Sequence, residues 1–217
     1  MTRMLGLLTV AALAAAALLV ALPVVAGAAG GTTCTGALAP GDYNHLVVPA
    51  GAACFGEGHV NIRGGLDIGS GATFVLSNEE TPDATSTITG GVHSTNAMNV
   101  QIHFATIGGG IDIHGGAGPF GGPFGITWNT IEDNQINGEV TIDGYNGFWM
   151  GFIRNTVNGS VKLNNNVLID EDGNEYVTNT IHGSLSCVGN VPVPQVGDSE
   201  GSPNVVSGKK KGDCTDV

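Results

Sequence analysis

The chain has 217 residues, of which 36 are glycine, and its formal net charge is −12. Such an acidic chain is not expected to bind nucleic acid or an anionic membrane, because the phosphates of both need Lys and Arg side chains as partners. Acidic polysaccharides are disfavoured as ligands for the same reason, unless calcium bridges the polysaccharide and the protein. The length of the chain is typical of one domain.

The first thirty residues have the composition of a secretory signal. One arginine, Arg3, precedes an apolar run over residues 4–25, and an A-x-A cleavage site ends at Ala28. We expect residues 1–28 to be a signal peptide and residues 29–217 to form one domain, secreted or held at the cell surface. The apolar run is also long enough to span a bilayer if it were retained as an anchor. No second such segment follows, so we expect no membrane contact after cleavage.

Four cysteines enclose the central part of the chain: Cys34, Cys54, Cys187 and Cys214. An even number in an exported protein indicates two disulfides, although three pairings are formally available. Because the cysteines fall into two pairs that are close in sequence, we expect Cys34–Cys54 and Cys187–Cys214 to close the two ends. No C-x-x-C spacing occurs, which argues against a structural zinc site or a thioredoxin-like role.

A nine-residue phrase with a central glycine recurs along the chain, with its glycines 19 to 29 residues apart. The seven copies are VNIRGGLDI (60–68), STITGGVHS (86–94), ATIGGGIDI (105–113), NQINGEVTI (134–142), NTVNGSVKL (155–163), NTIHGSLSC (179–187) and NVVSGKKKG (204–212). A unit this short cannot bury its apolar face alone and must stack on copies of itself.

Within the copies, apolar and polar residues alternate with period two, which indicates half-buried strands. Two residues before the glycine, the inward positions are Ile62, Ile88, Ile107, Ile136, Val157, Ile181 and Val206; two residues after it they are Leu66, Val92, Ile111, Val140, Val161 and Leu185. Outward positions carry Asp67, His93, Asp112, Thr141, Lys162 and Ser186. The pattern predicts an all-β fold, a right-handed, single-stranded parallel β-helix (a solenoid) of about seven rungs with disulfide-closed ends.

Two further features concern the stack itself. In the seventh copy Lys209, Lys210 and Lys211 replace the alternating residues, so we expect the stack to end there and its edge to be protected by charge.

Asparagines share one column before the strand: Asn134, Asn155, Asn179 and Asn204. Their amides could form hydrogen bonds from rung to rung, or Asn could simply suit a corner conformation.

The predicted register places four polar residues of the outward face side by side. His93 would lie next to Asp112, and His114 next to Asp143, because adjacent strands are about 4.8 Å apart. A histidine beside a carboxylate can serve as a base or a metal ligand. The alternative is that alternating charges only keep the sheet soluble.

Aromatic residues are concentrated in two segments that depart from the repeat. The segments are GGAGPFGGPFG (115–125), with Trp128 close behind, and DGYNGFWMGF (143–152). Their candidate ligand-binding residues are Phe120, Phe124, Trp128, Tyr145, Phe148 and Trp149. Such rings can stack on a sugar or press against a partner, or the loops can fold over the flank and bury their own rings.

The segment IDEDGNEY (169–176) offers oxygen ligands for calcium in Asp170, Asp172 and Asn174. An EF-hand loop would need a glycine at its sixth position and a glutamate at its twelfth, whereas here Gly173 is fourth and Ile181 twelfth. A turn built on D-G-N explains the same residues. Calcium is the one cofactor that the sequence suggests.

Three stretches carry a resemblance to a known family: GDYNHLVVPAGAAC (41–54), the N-T-[IV]-x-G-x-[VL] strands, and the closing CVGN…SPNVVSG…C. On these the chain resembles the secreted right-handed β-helix proteins of bacteria, of actinobacterial type, over nearly all of residues 29–217. The resemblance implies the fold but no single activity, because this fold includes lyases, hydrolases, adhesins and inert scaffolds. The N-T-D and G-H-G phrases of polygalacturonase-like enzymes are replaced here by N-T-I, N-T-V and IHG, and the basic residues of pectate lyases are scarce.

We therefore expect a non-catalytic extracellular or cell-surface protein that binds a neutral glycan, a cell-envelope component or a protein through its loops, as a monomer. The first alternative is a polysaccharide lyase or glycoside hydrolase with an unusual site. The second is an inert structural scaffold at the cell surface.

Overall fold

The computed structural model describes residues 31–116, 128–197 and 201–217, and the expected signal peptide, residues 1–28, lies outside these ranges. The described chain consists of strands, turns and bends, without a helix. Every strand pairing in it is parallel. The fold is therefore all-β, of the parallel β-helix or solenoid kind. In these ranges no helix has the length and apolar character needed to cross a membrane.

The strands are short, with two to five residues each, and in chain order they are β1 (Thr32–Thr33), β2 (Gly41–Tyr43), β3 (Leu46–Val48), β4 (Ala53–Gly56), β5 (Val60–Ile62), β6 (Leu66–Ile68), β7 (Thr73–Leu76), β8 (Ser86–Ile88), β9 (Val92–Thr95), β10 (Asn99–His103), β11 (Ala105–Ile107), β12 (Ile111–His114), β13 (Trp128–Glu132), β14 (Gln135–Ile136), β15 (Val140–Asp143), β16 (Asn146–Gly147), β17 (Trp149–Ile153), β18 (Thr156–Val157), β19 (Val161–Asn164), β20 (Val167–Leu168), β21 (Asn174–Val177), β22 (Thr180–Ile181), β23 (Leu185–Cys187), β24 (Val205–Val206) and β25 (Lys210–Gly212).

These strands form three large sheets and one small one. The nine-stranded sheet has the order β1-β3-β6-β9-β12-β15-β19-β23-β25, the eight-stranded sheet β2-β5-β8-β11-β14-β18-β22-β24, and the six-stranded sheet β21-β17-β13-β10-β7-β4. The strands β16 and β20 pair with each other. From β2 to β21, a strand of the eight-stranded sheet is followed by one of the nine-stranded and then one of the six-stranded sheet, with β16 and β20 inserted before the six-stranded sheet in the last two passes. Each pass of the chain thus adds one strand to every large sheet.

The strand register confirms the columns predicted from the repeat. The column that begins at Ile62 continues in register to Val206 in the eight-stranded sheet. The column that begins at Leu66 continues to Leu185 in the nine-stranded sheet. Except for the partly buried Val206, these side chains belong to the buried core. Alternation with period two therefore defines the inside of the stack.

The central glycines of the repeat stack directly on one another. The N–H of Gly138 donates to the carbonyl of Gly109 over 2.9 Å. A Cβ atom on Gly138 would lie 2.6 Å from the carbonyl carbon of Gly109, and one on Gly159 would lie 2.6 Å from that of Gly138. Backbone of one pass thus fills the space that a side chain of the next would need, which explains why the repeat is centred on glycine.

The asparagine column forms a hydrogen-bonded ladder, which confirms the first of its two interpretations. The Nδ2 of Asn155 donates to Asn179 Oδ1 over 3.1 Å and to the Ile131 carbonyl over 2.8 Å. Asn134 and Asn204 continue the ladder on either side, and all four residues are buried. Buried amides need such partners, since an unpaired polar group in the core is costly.

Both expected disulfides are present. Cys34 bonds to Cys54 and Cys187 to Cys214, with Cα atoms 5.5 and 5.2 Å apart. Cys54 lies in β4, at one edge of the six-stranded sheet, and Cys214 follows β25, the last strand of the nine-stranded sheet. In β25 Lys210 stands in register with Leu185, and its Nζ donates to the carbonyl of Val217 over 2.7 Å.

Candidate functional site

The four polar residues of the outward face lie in the predicted register on the nine-stranded sheet. His93 pairs with Asp112, and His114 with Asp143. The shortest contact of His114 is with Asp112 on its own strand, 2.9 Å from Nε2 to Oδ1, while its Nδ1 lies 4.0 Å from Asp143 Oδ2. These side chains are about half exposed, where an ion pair contributes little.

The three candidate calcium ligands are not brought together. Asn174 is buried, its Oδ1 accepts from the Tyr176 hydroxyl over 2.6 Å, and its Nδ2 donates to the Pro192 carbonyl over 2.7 Å. Asp170 instead accepts from the backbone N–H of Asp172 over 3.2 Å, which is the geometry of a turn. Among the described residues, no group of three His, Cys, Asp or Glu side chains is placed to hold a metal ion.

The aromatic candidates separate into three sets. Phe120 and Phe124 lie outside the described residues. Tyr145 is buried in the core at 3% exposure, so its ring does not face a ligand. Trp128, Phe148 and Trp149 line one cleft of about 770 Å³ on the six-stranded sheet.

The floor of this cleft is formed by side chains that point away from the core. Along β10, Gln101 and His103 alternate with the core residues Val100 and Ile102. Thr130 pairs with Gln101 and Glu132 with His103 on the next strand. All four floor residues are buried although they are polar. The cleft thus has a polar floor beside an aromatic wall.

The indole of Trp149 lies over Gly151. A Cβ atom on Gly151 would lie 2.8 Å from Cζ3 of Trp149, so the indole ring occupies the space that a side chain at 151 would take. Its Nε1 donates to Glu175 Oε1 over 3.2 Å, which fixes the ring at its polar edge. Trp128 stands beside it in register on β13 and is 43% exposed. The outer face of a held indole is a surface on which another ring can stack.

At the other end of the cleft, Arg154 joins three carboxyl groups. Its Nη2 contacts Glu132 and lies 3.0 Å from Glu79 Oε1, and its Nε lies 2.9 Å from Asp133 Oδ1. The hydrogen bond with Asp133 is the main reason that the pKa of Arg154 is raised. The bond from Arg154 is likewise the main cause of the lowered pKa of Glu79.

Glu132 is the unusual acid of the cleft. Burial raises the pKa of Glu132 to about 8 despite the charge of Arg154, so its carboxyl group is largely protonated at neutral pH. Burial lowers the pKa of His103, so its imidazole is neutral at neutral pH. The Nδ1 of His103 lies 3.6 Å from Glu132 Oε2, and it is buried without a hydrogen-bond partner among the described residues.

Sequence reasoning identified the tryptophans but missed the polar residues of the floor and Glu175. The copies of the repeat are centred on glycine, and the strands of the six-stranded sheet lie outside them. A signal was present in NVQIH (99–103) and WNTIE (128–132), where Gln101, His103, Thr130 and Glu132 alternate with apolar or amide residues. Aligning these two segments with each other would have placed His103 beside Glu132.

The arrangement can hold a ring on Trp149, accept and donate hydrogen bonds along its floor, and transfer a proton at Glu132.

No protein-family model, curated protein or solved structure matches the chain.

Proposed function

We propose that this is a secreted or cell-surface protein that binds a glycan in the cleft of the six-stranded sheet, without catalysis. Its two disulfides fit an extracellular location. We infer further that the stack is a right-handed, single-stranded β-helix of about seven rungs. The regular order of the sheets along the chain supports this, as does the strong preference of parallel crossover connections for the right hand.

The observation that carries the proposal is the position of Trp149. A sugar ring needs a flat apolar surface for its C–H face and polar partners for its hydroxyl groups. Trp149 supplies the surface, because Gly151 leaves room for the indole and Glu175 holds its edge. The floor residues Gln101 and Thr130 supply polar groups beside it.

A glycan-array screen of residues 29–217 tests the proposal. The protein is expected to bind a limited set of glycans, and Trp149→Ala to lose at least about tenfold in affinity, a loss of about 1.4 kcal/mol. Val205→Ala serves as the control, since Val205 is exposed and lies outside the cleft. Undiminished glycan binding by Trp149→Ala would place the site elsewhere, and an absence of glycan binding by the wild type would reject the proposal.

Glycoside hydrolysis is a second candidate, favoured by Glu132. A carboxyl group with a pKa of about 8 is protonated at neutral pH and can donate to the oxygen of a leaving sugar. Water would then add to the sugar carbon, and a second carboxylate of the cleft, such as Glu175 two strands away, would take its proton. New reducing ends formed by the wild type but not by Glu132→Gln would support hydrolysis, whereas no reducing ends from any bound glycan would reject it.

A further inference from the structure

Acidic groups predominate in the lining of the cleft. Besides Glu132 and Glu175, the carboxyl groups of Glu79, Glu80, Asp170 and Asp172 face it. Among the described lining residues, only Arg154 and His103 are basic. A ligand that enters therefore passes a rim with an excess of negative charge, and a sugar with a carboxylate or sulfate would be repelled.

The one guanidinium of the cleft is already occupied. Arg154 binds Glu79 and Asp133 and contacts Glu132, so it has three acidic partners within the protein. Recruiting it to an anionic ligand would break these charge-assisted bonds. Arg154 thus does not offset the acidic rim in favour of an anion.

A buried acceptor belongs to the lining of the cleft. His103 is 4% exposed and lines the cleft, and its Nδ1 has no hydrogen-bond partner among the described residues. In the neutral imidazole a ring nitrogen without a proton can accept a bond from an N–H group. Glu132 Oε2 lies 3.6 Å from this nitrogen and can accept a second bond from the same donor.

We propose that the ligand is a glycan that carries free amino groups, with a sugar ring stacked on Trp149 and an ammonium group directed to His103 and Glu132. This inference rests on the proposed function and narrows it to one class of sugar. An ammonium group has three N–H donors and one positive charge, which match a buried acceptor, a carboxyl group and an acidic rim.

A sugar fits better than a cationic peptide because of the shape of the site. The indole of Trp149 lies over Gly151, and its neighbour Trp128 stands in register on the adjacent strand. Two adjacent indoles beside a row of polar side chains suit successive rings of an oligosaccharide. A basic peptide would use the acidic rim but would not need the flat surface.

Isothermal titration calorimetry with three probes tests the inference: a short oligomer of β-1,4-linked glucosamine, its fully N-acetylated counterpart, and an oligolysine of similar length. The N-acetylated oligomer has the same rings and linkage without the positive charge. The glucosamine oligomer is expected to bind at least about tenfold more tightly than the N-acetylated one, with an affinity that falls as salt is added.

A charge-neutralising variant provides the second measurement. Glu80→Gln combined with Asp172→Asn removes two carboxylates from the rim and is expected to weaken glucosamine binding about threefold to tenfold. Binding of the N-acetylated oligomer should not change in this variant. The matched control is Glu139→Gln with Asp216→Asn, which makes the same change in charge at two exposed positions outside the cleft.

The outcomes separate this inference from the function on which it rests. If the N-acetylated oligomer binds as tightly as the amino form, the inference is wrong while glycan binding stands. Tighter binding of oligolysine than of the amino sugar would overturn the inference in favour of a peptide ligand. If neither sugar binds, and the array is also blank, both the inference and the proposed function are rejected.

Discussion

Glu132 combines deep burial with a set of titratable neighbours. His103, Glu79, Asp133 and Arg154 all face it. Its hydrogen bond with Glu79 raises the pKa of Glu132 further and lowers that of Glu79, so the proton between the two resides on the buried partner. The residue is thereby an acid that keeps its proton in a negatively charged cleft.

This protonation predicts a dependence of stability on pH. The folded pKa of Glu132, about 8, lies above the ordinary value of 4.5, so the folded state holds a proton that the unfolded chain releases. The resulting stabilisation is complete below about pH 4.5 and is lost as the pH rises to about 8.

Glu132→Gln should remove that contribution. Between pH 5 and pH 9, the wild type is expected to lose on the order of a few kcal/mol of unfolding free energy relative to the variant. Denaturant unfolding at several pH values measures the difference, with the exposed Glu139→Gln as the control. A constant difference between wild type and Glu132→Gln would show that Glu132 is ionised in the folded protein.

Among the elements, the asparagine ladder links successive passes of the chain. The side chain of Asn155 makes four hydrogen bonds, two through Nδ2 and two that Oδ1 accepts from Asn134. Asn155→Ala is expected to lower the unfolding free energy by about 2 to 4 kcal/mol, because buried partners lose their bonds. Thermal and denaturant unfolding measure this loss.

Asn158→Ala is the matched control for the ladder. Asn158 is exposed and lies three residues further along the same pass, where its Nδ2 donates to Asn137 Oδ1 over 2.8 Å. Removal of the Asn158 side chain is expected to lower the unfolding free energy by about 0.5 kcal/mol or less. Equal effects of the two substitutions would mean that the ladder does not stabilise the stack.

The strand β15 tests the register of the nine-stranded sheet. Val140 is fully buried in the core, whereas Thr141 faces outward next to it. Val140→Asp is expected to unfold the protein, because a buried unpaired charge costs several kcal/mol. Thr141→Asp should change the unfolding free energy by only about 0.5 kcal/mol. Circular dichroism and thermal unfolding distinguish the two, and a stable Val140→Asp variant would contradict the register.

The sequence predicted the strands of the eight-stranded and nine-stranded sheets, because these strands flank a glycine that permits close stacking. It did not predict the six-stranded sheet, since NVQIH in β10 and WNTIE in β13 lie outside the glycine-centred copies. Both sides of β10 are buried, so the polar side of that strand does not mark a solvent face. The orientation of Tyr145 could not be predicted either, because a ring in a glycine-rich loop can turn inward or outward. In the structure it packs in the core.

The candidate site was predictable only at its aromatic wall. Trp128 and Trp149 were found as rings that interrupt the repeat. Glu132 and Glu175 are 43 positions apart in the chain and lie on the same sheet only because β13, β17 and β21 stack in register. The lengths of the intervening segments vary, so their alignment could not be read from the repeat.

At the scale of the molecule, the described part of the chain is a regular stack that positions the cleft on its six-stranded sheet. The sheets repeat the same contacts from pass to pass, while the cleft combines both tryptophans of the chain with Glu132, whose pKa burial raises to about 8. Since the chain contains only these two tryptophans and both line the cleft, its tryptophan fluorescence reports on the cleft.

The most direct measurement is therefore a fluorescence titration of residues 29–217 with the glycan that binds best on the array, alongside calorimetry of the same pair. We predict a saturable change in tryptophan emission with the same Kd as the calorimetric one. We also predict that this change in emission is lost in Gly151→Ala, because the added methyl group displaces the indole of Trp149. Glycan binding that is detected by calorimetry but leaves the emission unchanged would contradict the cleft as the binding site.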